Sequence, residues 1–109
     1  MNPELAVQRQ VAAYNAHDLE RFVAEYADDV QVFRPPSTEP VLSGKAAFRA
    51  HYATKRFNLP DLHASVVNRI VSGNRVVDHE HITGLEAGLV EAIAVYEVKD
   101  GLIHRVWFF

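Results

Sequence analysis

A chain of 109 residues is long enough for a single domain with one core, residues 1–109, and too short for a separate cofactor domain. Hydrophobic residues make up 49% and charged residues 23%, a globular composition, while a net charge of -3 with only Lys55-Arg56 as a basic pair gives no footprint for nucleic acid. Cysteine is absent, which removes disulfides, thiolate nucleophiles and zinc-thiolate sites.

The N-terminus, MNPELAVQRQ, lacks the basic start and apolar core of a signal peptide. No apolar run approaches the ~18 residues needed to cross a bilayer, so a cytoplasmic location without a membrane partner is expected. Asn2-Pro3-Glu4 is a helix start: Asn2 can cap, Pro3 suits the first helical position and Glu4 favours the first turn. Leu5, Val7, Val11 and Tyr14 continue at helical spacing to about Asn15. His17-Asp18 breaks the helix, and Asp18 caps a second one with Leu19, Phe22, Val23 and Tyr26 on its apolar face, closed by Asp28-Asp29. Val30 to Arg34 is β-rich and stops at Pro35-Pro36.

Residues 35 to 43 read as a loop, after which Ser43 is expected to cap a third helix from Gly44 to about Arg56, with Ala47, Phe48, His51 and Tyr52 on one side. Asn58-Leu59-Pro60 ends it. The remainder alternates between strands and turns: Leu62 to Ser72, Arg75 to Thr83, Leu89 to Val98 and Leu102 to Phe109, joined at Gly73-Asn74, residues 84 to 88 and Asp100-Gly101. Helices followed by sequential strands predict an α+β domain, with three N-terminal helices packed on one face of a curved antiparallel sheet.

The segments AAYNAHDLERFVAEYADDVQV, SGKAAFRAHYA and DGLIHRVWFF resemble the nuclear transport factor 2-like superfamily, in its ketosteroid isomerase-like or SnoaL-like branch. The resemblance runs over nearly the whole chain. It implies a cone-shaped α+β barrel around a deep, mostly apolar pocket for a small hydrophobic or partly anionic molecule, and a homodimer through the outer face of the sheet. Fold alone does not name a reaction, because one fold hosts many. In the isomerases of this branch, a carboxylate before a proline at the end of the first strand moves the proton, and a helix-one tyrosine and a protonated acid form the oxyanion hole. The resemblance carries those positions onto Arg34, Gln10 and Ala94. Arginine stays charged at any relevant pH and cannot act as a base, so ketosteroid isomerisation is not expected.

Chemistry must then come from other residues. In Val76 to Gly84, alternation places Val77, His79, His81 and Thr83 on one face and Val76, Asp78, Glu80 and Ile82 on the other. By comparison with the family, the His79 and His81 face is expected to look into the pocket, where the imidazoles would serve as base and acid; a one-residue slip turns them to solvent or to a dimer partner. As i and i+2 residues the two histidines also suit a metal ion, but no third ligand is evident, and neither metal nor cofactor is expected. Arg34 reads as an anchor for an anionic group, or as a partner of Glu39, Asp78 or Glu91. Tyr14, Tyr52 and Trp107 are the expected pocket walls, with Gln10 and Ala94 beside them. Alternation against Ala94 turns Glu91 outward. Two readings result: a cofactor-independent acid-base enzyme using His79 or His81 with Arg34, or a non-catalytic, dimeric ligand-binding domain.

Overall fold

The computed structural model describes residues 2–109. Helix α1 covers Pro3–Asn15, and it begins as the sequence dictates: Glu4 N donates to Asn2 Oδ1 at 3.0 Å, with Pro3 in the first turn. Its buried stripe is Ala6, Val7, Gln10, Val11, Ala13 and Tyr14, so one amide side chain is carried into an otherwise apolar face. At the break His17 takes φ 56°, and Asp18 Oδ1 accepts from Arg21 N at 3.1 Å to cap α2, Leu19–Val23.

The motif Asn15-Ala16-His17-Asp18 also fastens the helices to the sheet. The Asn15 amide donates to Ala64 O and its carbonyl accepts from Ala64 N, both at 2.8 Å, while His17 Nε2 donates to Leu62 O at 2.7 Å. One side chain thus satisfies both backbone groups of Ala64 on β3, His63–Ser72.

Two boundaries differ from expectation. The second helix ends at Val23, and β1 runs Tyr26–Phe33, because buried Tyr26 and Ala27 extend the strand toward β6 and a bulge between Tyr26 and Gln31 leaves Asp28 and Asp29 in solvent. Ser43 does not cap the third helix. It pairs with Gln31 in the short strand β2, Leu42–Ser43, and Gly44, at φ 88°, is the cap residue of α3, Lys45–Lys55.

The last strands are β4, Arg75–Thr83, β5, Val90–Lys99, and β6, Leu102–Phe108. Six strands form one curved sheet in the order β2-β1-β6-β5-β4-β3. All neighbours are antiparallel except β1 and β6, which run parallel, so the expected meander is extended by a β1–β2 edge that returns from the start of the chain. The sheet does not close on itself; helices on its concave face complete the cone. Phe22 centres the core, with Tyr14, Tyr26, Phe48, Tyr52 and Phe57 at ring separations of 4.8–5.9 Å. No helix among the described residues is long and apolar enough to cross a membrane.

Candidate functional site

Between the helices and the sheet lies a cavity of about 200 Å³. Its walls come from every layer: Gln10 and Tyr14 from α1, Phe22 from α2, Tyr26 from β1, Tyr52 from α3, Glu80 and Ile82 from β4, and Ala92 and Tyr96 from β5. Arg34, Arg56 and Phe108 also line it. The Arg34 guanidinium lies 5.2 Å from the centre of the Phe108 ring and forms no ion pair among the described residues, so neither Glu39, Asp78 nor Glu91 is its partner. Burial, followed by the charges of Arg56 and Arg34, holds His51 of α3 below its usual range.

The orientation expected of β4 is reversed. Val76, Asp78, Glu80 and Ile82 face the helices, and His79 and His81 project from the outer face. The reason lies in the pairing of β4 with β5: Val76 is opposite Tyr96, Asp78 opposite Ala94 and Glu80 opposite Ala92. Paired residues share a face, and Ala94 and Tyr96 are buried, so Asp78 and Glu80 must be inside with them. His79 and His81 instead reach Glu91 Oε2, at 2.9 and 3.2 Å. Those contacts hold the Glu91 carboxyl below its usual range.

Trp107 is also outside the cavity. It lies opposite Val95 and stacks on Phe33, 5.5 Å between ring centres, on the outer face. Ala94 is fully buried and presents no polar atom. Gln10, Tyr14, Tyr52 and Arg34 do line the cavity.

The interior acids differ in their neighbours. Asp78 has no exposure and is held by Arg69 through two bonds, Nε to Oδ1 at 2.7 Å and Nη2 to Oδ2 at 2.9 Å. Arg69 is in turn steadied from α1, where Gln8 Oε1 accepts from Nη1 at 2.9 Å and Glu4 lies at 3.5 Å. Glu80, only 5% exposed, forms no side-chain hydrogen bond among the described residues. Burial, reinforced by the charge of Asp78 and opposed by Arg69, pushes its carboxyl up to about 7. A carboxyl poised there exists in both protonation states near neutrality.

A hydroxyl cluster surrounds this acid. Tyr26 OH donates to Gln10 Oε1 at 3.0 Å, and Gln10 Nε2 donates to Tyr96 OH at 3.2 Å, which leaves the Tyr96 proton free to be donated elsewhere. Burial is the main reason that Tyr14 is pushed up to about 12 and that Tyr26, Tyr52 and Tyr96 stand higher than usual, and the Glu80 charge raises all four. These groups remain neutral donors at neutral pH. Sequence reading missed Glu80 and Tyr96. The signal was a hairpin centred on Glu86, which pairs Glu80 with Ala92 and carries Tyr96 on the same face.

Comparison with known proteins agrees with this architecture. Residues 7–106 match the model of the SnoaL-like domain. An uncharacterised cystatin-fold protein from Novosphingobium aromaticivorans superposes with a TM-score of 0.89 at 25% identity, over 100% of this chain and 98% of that one. A Delta 5-3-ketosteroid isomerase from a Mycobacterium species gives 0.82 at 24%, over 100% and 93%, and a SnoaL-like protein of unknown function from Burkholderia thailandensis gives 0.81 at 20%, over 98% and 92%. With a family match spanning nearly the whole chain and this cone of three helices on an open sheet, the chain belongs to the SnoaL-like domain family and has the nuclear transport factor 2-like fold.

Proposed function

We propose that the cavity binds a small, largely apolar molecule carrying a carbonyl or carboxylate, and that Glu80 transfers a proton on it without a cofactor. The observation that carries this reading is Glu80 itself: a buried, cavity-facing carboxyl near 7 with no internal partner, beside four neutral phenols. In this chemistry the Glu80 carboxylate takes a proton from the carbon next to a carbonyl, the carbonyl oxygen gains the negative charge, and a phenolic proton, Tyr96 foremost, is donated to that oxygen. Glu80, now protonated, returns the proton to the same or a neighbouring carbon. Arg34 and Arg56 favour an anionic group on the substrate.

Size limits the substrate. A cavity of about 200 Å³ is below the ~300–1,000 Å³ of drug-sized pockets, which weighs against a steroid and favours a small keto acid or enone. The test is deuterium exchange at the carbon adjacent to the carbonyl of small keto acids in heavy water, followed by NMR. Wild-type protein is expected to accelerate exchange and Glu80→Gln to lose ~10²–10⁴-fold of that rate. Equal exchange by the two proteins would remove Glu80 from the chemistry. Arg34→Ala is expected to weaken a carboxylate ligand by about tenfold, the loss of one charge-assisted contact; unchanged affinity would leave Arg34 outside recognition.

Binding without turnover is favoured by one feature, the engagement of both polar ends of Gln10 by Tyr26 and Tyr96. This second reading predicts ligand affinity with no exchange in any variant. We also propose that the protein is a cytoplasmic homodimer joined through the outer sheet face, where Ile70, Ile93, Val95 and Trp107 form an apolar strip. Analytical ultracentrifugation tests this: Val95→Lys is expected to yield monomer, and an unchanged mass would exclude that face.

A further inference from the structure

We propose that His79, His81 and Glu91 form a binding site for one Zn²⁺ ion on the outer face of the sheet, across the sheet from the cavity. The three residues lie on two paired strands: His79 and His81 on β4, two apart and hence on one face, and Glu91 on β5 directly opposite His81. Strand β4 is paired on both sides, to β3 and β5, so the ligands stand on fixed backbone rather than on a loop.

The distances suit a tetrahedral ion. Zinc bonds of ~2.0–2.1 Å place adjacent tetrahedral ligand atoms about 3.3 Å apart. Glu91 Oε2 is 2.9 Å from His79 Nε2 and 3.2 Å from His81 Nε2, and the ligand atoms of all three residues lie within 4.8 Å of one another. The imidazole rings, 5.3 Å apart and nearly perpendicular, bring both Nε2 atoms to the same carboxylate oxygen. In the metal-bound form the ion takes the place of the imidazole protons that now meet Glu91, and a fourth position is left for water.

Donor chemistry narrows the ion to a divalent transition metal, of which Zn²⁺ suits a four-coordinate site without redox chemistry. Two imidazoles and one carboxylate are a set used by Zn²⁺, whereas Ca²⁺ and Mg²⁺ prefer oxygen alone. In the single chain, side-chain exposures of 32% and 34% leave the Nε2 edges of the two rings open to an entering ion, and in a dimer joined through this face the ion would lie at the interface, since His79 is paired opposite Ile93. Nothing in the pocket chemistry depends on this site.

The test is calorimetric titration of chelator-stripped protein with ZnCl₂, with CoCl₂ as a spectroscopic probe. One Zn²⁺ per chain, tetrahedral Co²⁺ absorption bands and a melting temperature that rises with Zn²⁺ are expected. His79→Ala, His81→Ala and Glu91→Gln should each weaken binding at least about tenfold, as even indirect partners of a metal do. His104→Ala, which alters a separate histidine near Asp29, should bind Zn²⁺ as wild type does. Absence of Zn²⁺ binding, unchanged affinity in the two β4 variants, or an equal response to CaCl₂ would overturn the assignment. The glutamine variant keeps the shape of Glu91, so its loss of binding cannot be attributed to misfolding.

Discussion

Replacing Glu80 by glutamine isolates the effect of one buried charge, because the two side chains are nearly isosteric and the cavity keeps its shape. In the folded protein the carboxyl stands at about 7, against an ordinary value of 4.5. The native state therefore keeps its proton over a pH range in which the unfolded chain has released it. The sign follows directly: relative to the glutamine variant, wild-type stability is intact below about pH 4.5, declines as pH rises toward 7, and stays low above that. With about 1.4 kcal/mol per pH unit, the penalty is ~1 kcal/mol at pH 5 and ~3 kcal/mol at pH 8.5. Urea unfolding of both proteins at these two pH values, at one protein concentration, measures it. Titrating groups that do not interact with Glu80 act equally on both proteins and cancel in the difference. Between the two pH values the variant should gain ~2 kcal/mol on the wild type, a shift of about 1 M urea in relative midpoint for a small domain. Parallel pH profiles, within ~0.5 kcal/mol, would refute the buried environment assigned to Glu80 and with it the basis for its proposed role as acid and base.

Asp78→Asn should lower the Glu80 carboxyl below about 7, since it removes a repelling charge and leaves Arg69 in place; a carbon-13 NMR titration of the Glu80 carboxyl reads this, and an unchanged or higher value would contradict it. Asn15→Ala should cost ~1–3 kcal/mol in chemical denaturation, because it orphans both backbone groups of buried Ala64, and a loss under ~0.5 kcal/mol would show that water replaces the amide freely. Gly84→Ala and Gly73→Ala form a pair: both glycines have positive φ, but a Cβ at Gly84 would stand 2.1 Å from the carbonyl oxygen of Asp61, while one at Gly73 meets nothing within 4 Å. The first should cost more than ~2 kcal/mol and the second about 1 kcal/mol, by thermal denaturation; equal losses would mean that the turn at Gly84 moves away.

Much of the architecture is local and was therefore legible. Strand β4 begins and ends where alternation and flanking turns place it, and α1 and α2 start at the caps Asn2 and Asp18. What depends on distant partners was not. The β1 strand begins at Tyr26 because Ile103 of β6 pairs with it, 77 positions away, and Ser43 is drawn from a cap into β2 by Gln31. Within the cavity, Tyr14 and Tyr52 were reachable from helical spacing, since a helix face is fixed by its own period. Trp107 was not, because the face of a strand depends on which neighbour it pairs with, and Val95 takes Trp107 to the outer side.

The same dependence explains the histidines, and the missing constraint was within reach. A strand's alternation has two phases, and nothing local separates a face of Val77, His79 and His81 from one of Val76, Asp78 and Glu80: each carries both apolar and ionisable groups. The phase is set by the hairpin. A turn centred on Glu86 pairs Asp78 with Ala94 and His81 with Glu91. Ala94 inward and Glu91 outward therefore require Asp78 inward and His81 outward, so the expectation for β5 already contradicted that for β4. A bias toward apolar cavity walls favoured the wrong phase, because it excluded two acids from the interior. The structure admits them at different cost: Arg69, braced by Gln8 of α1, neutralises Asp78, whereas Glu80 is left unpaired and takes up a proton near neutrality. Of the two interior acids, the one without a partner faces the cavity, and the proposed proton transfer rests on that asymmetry.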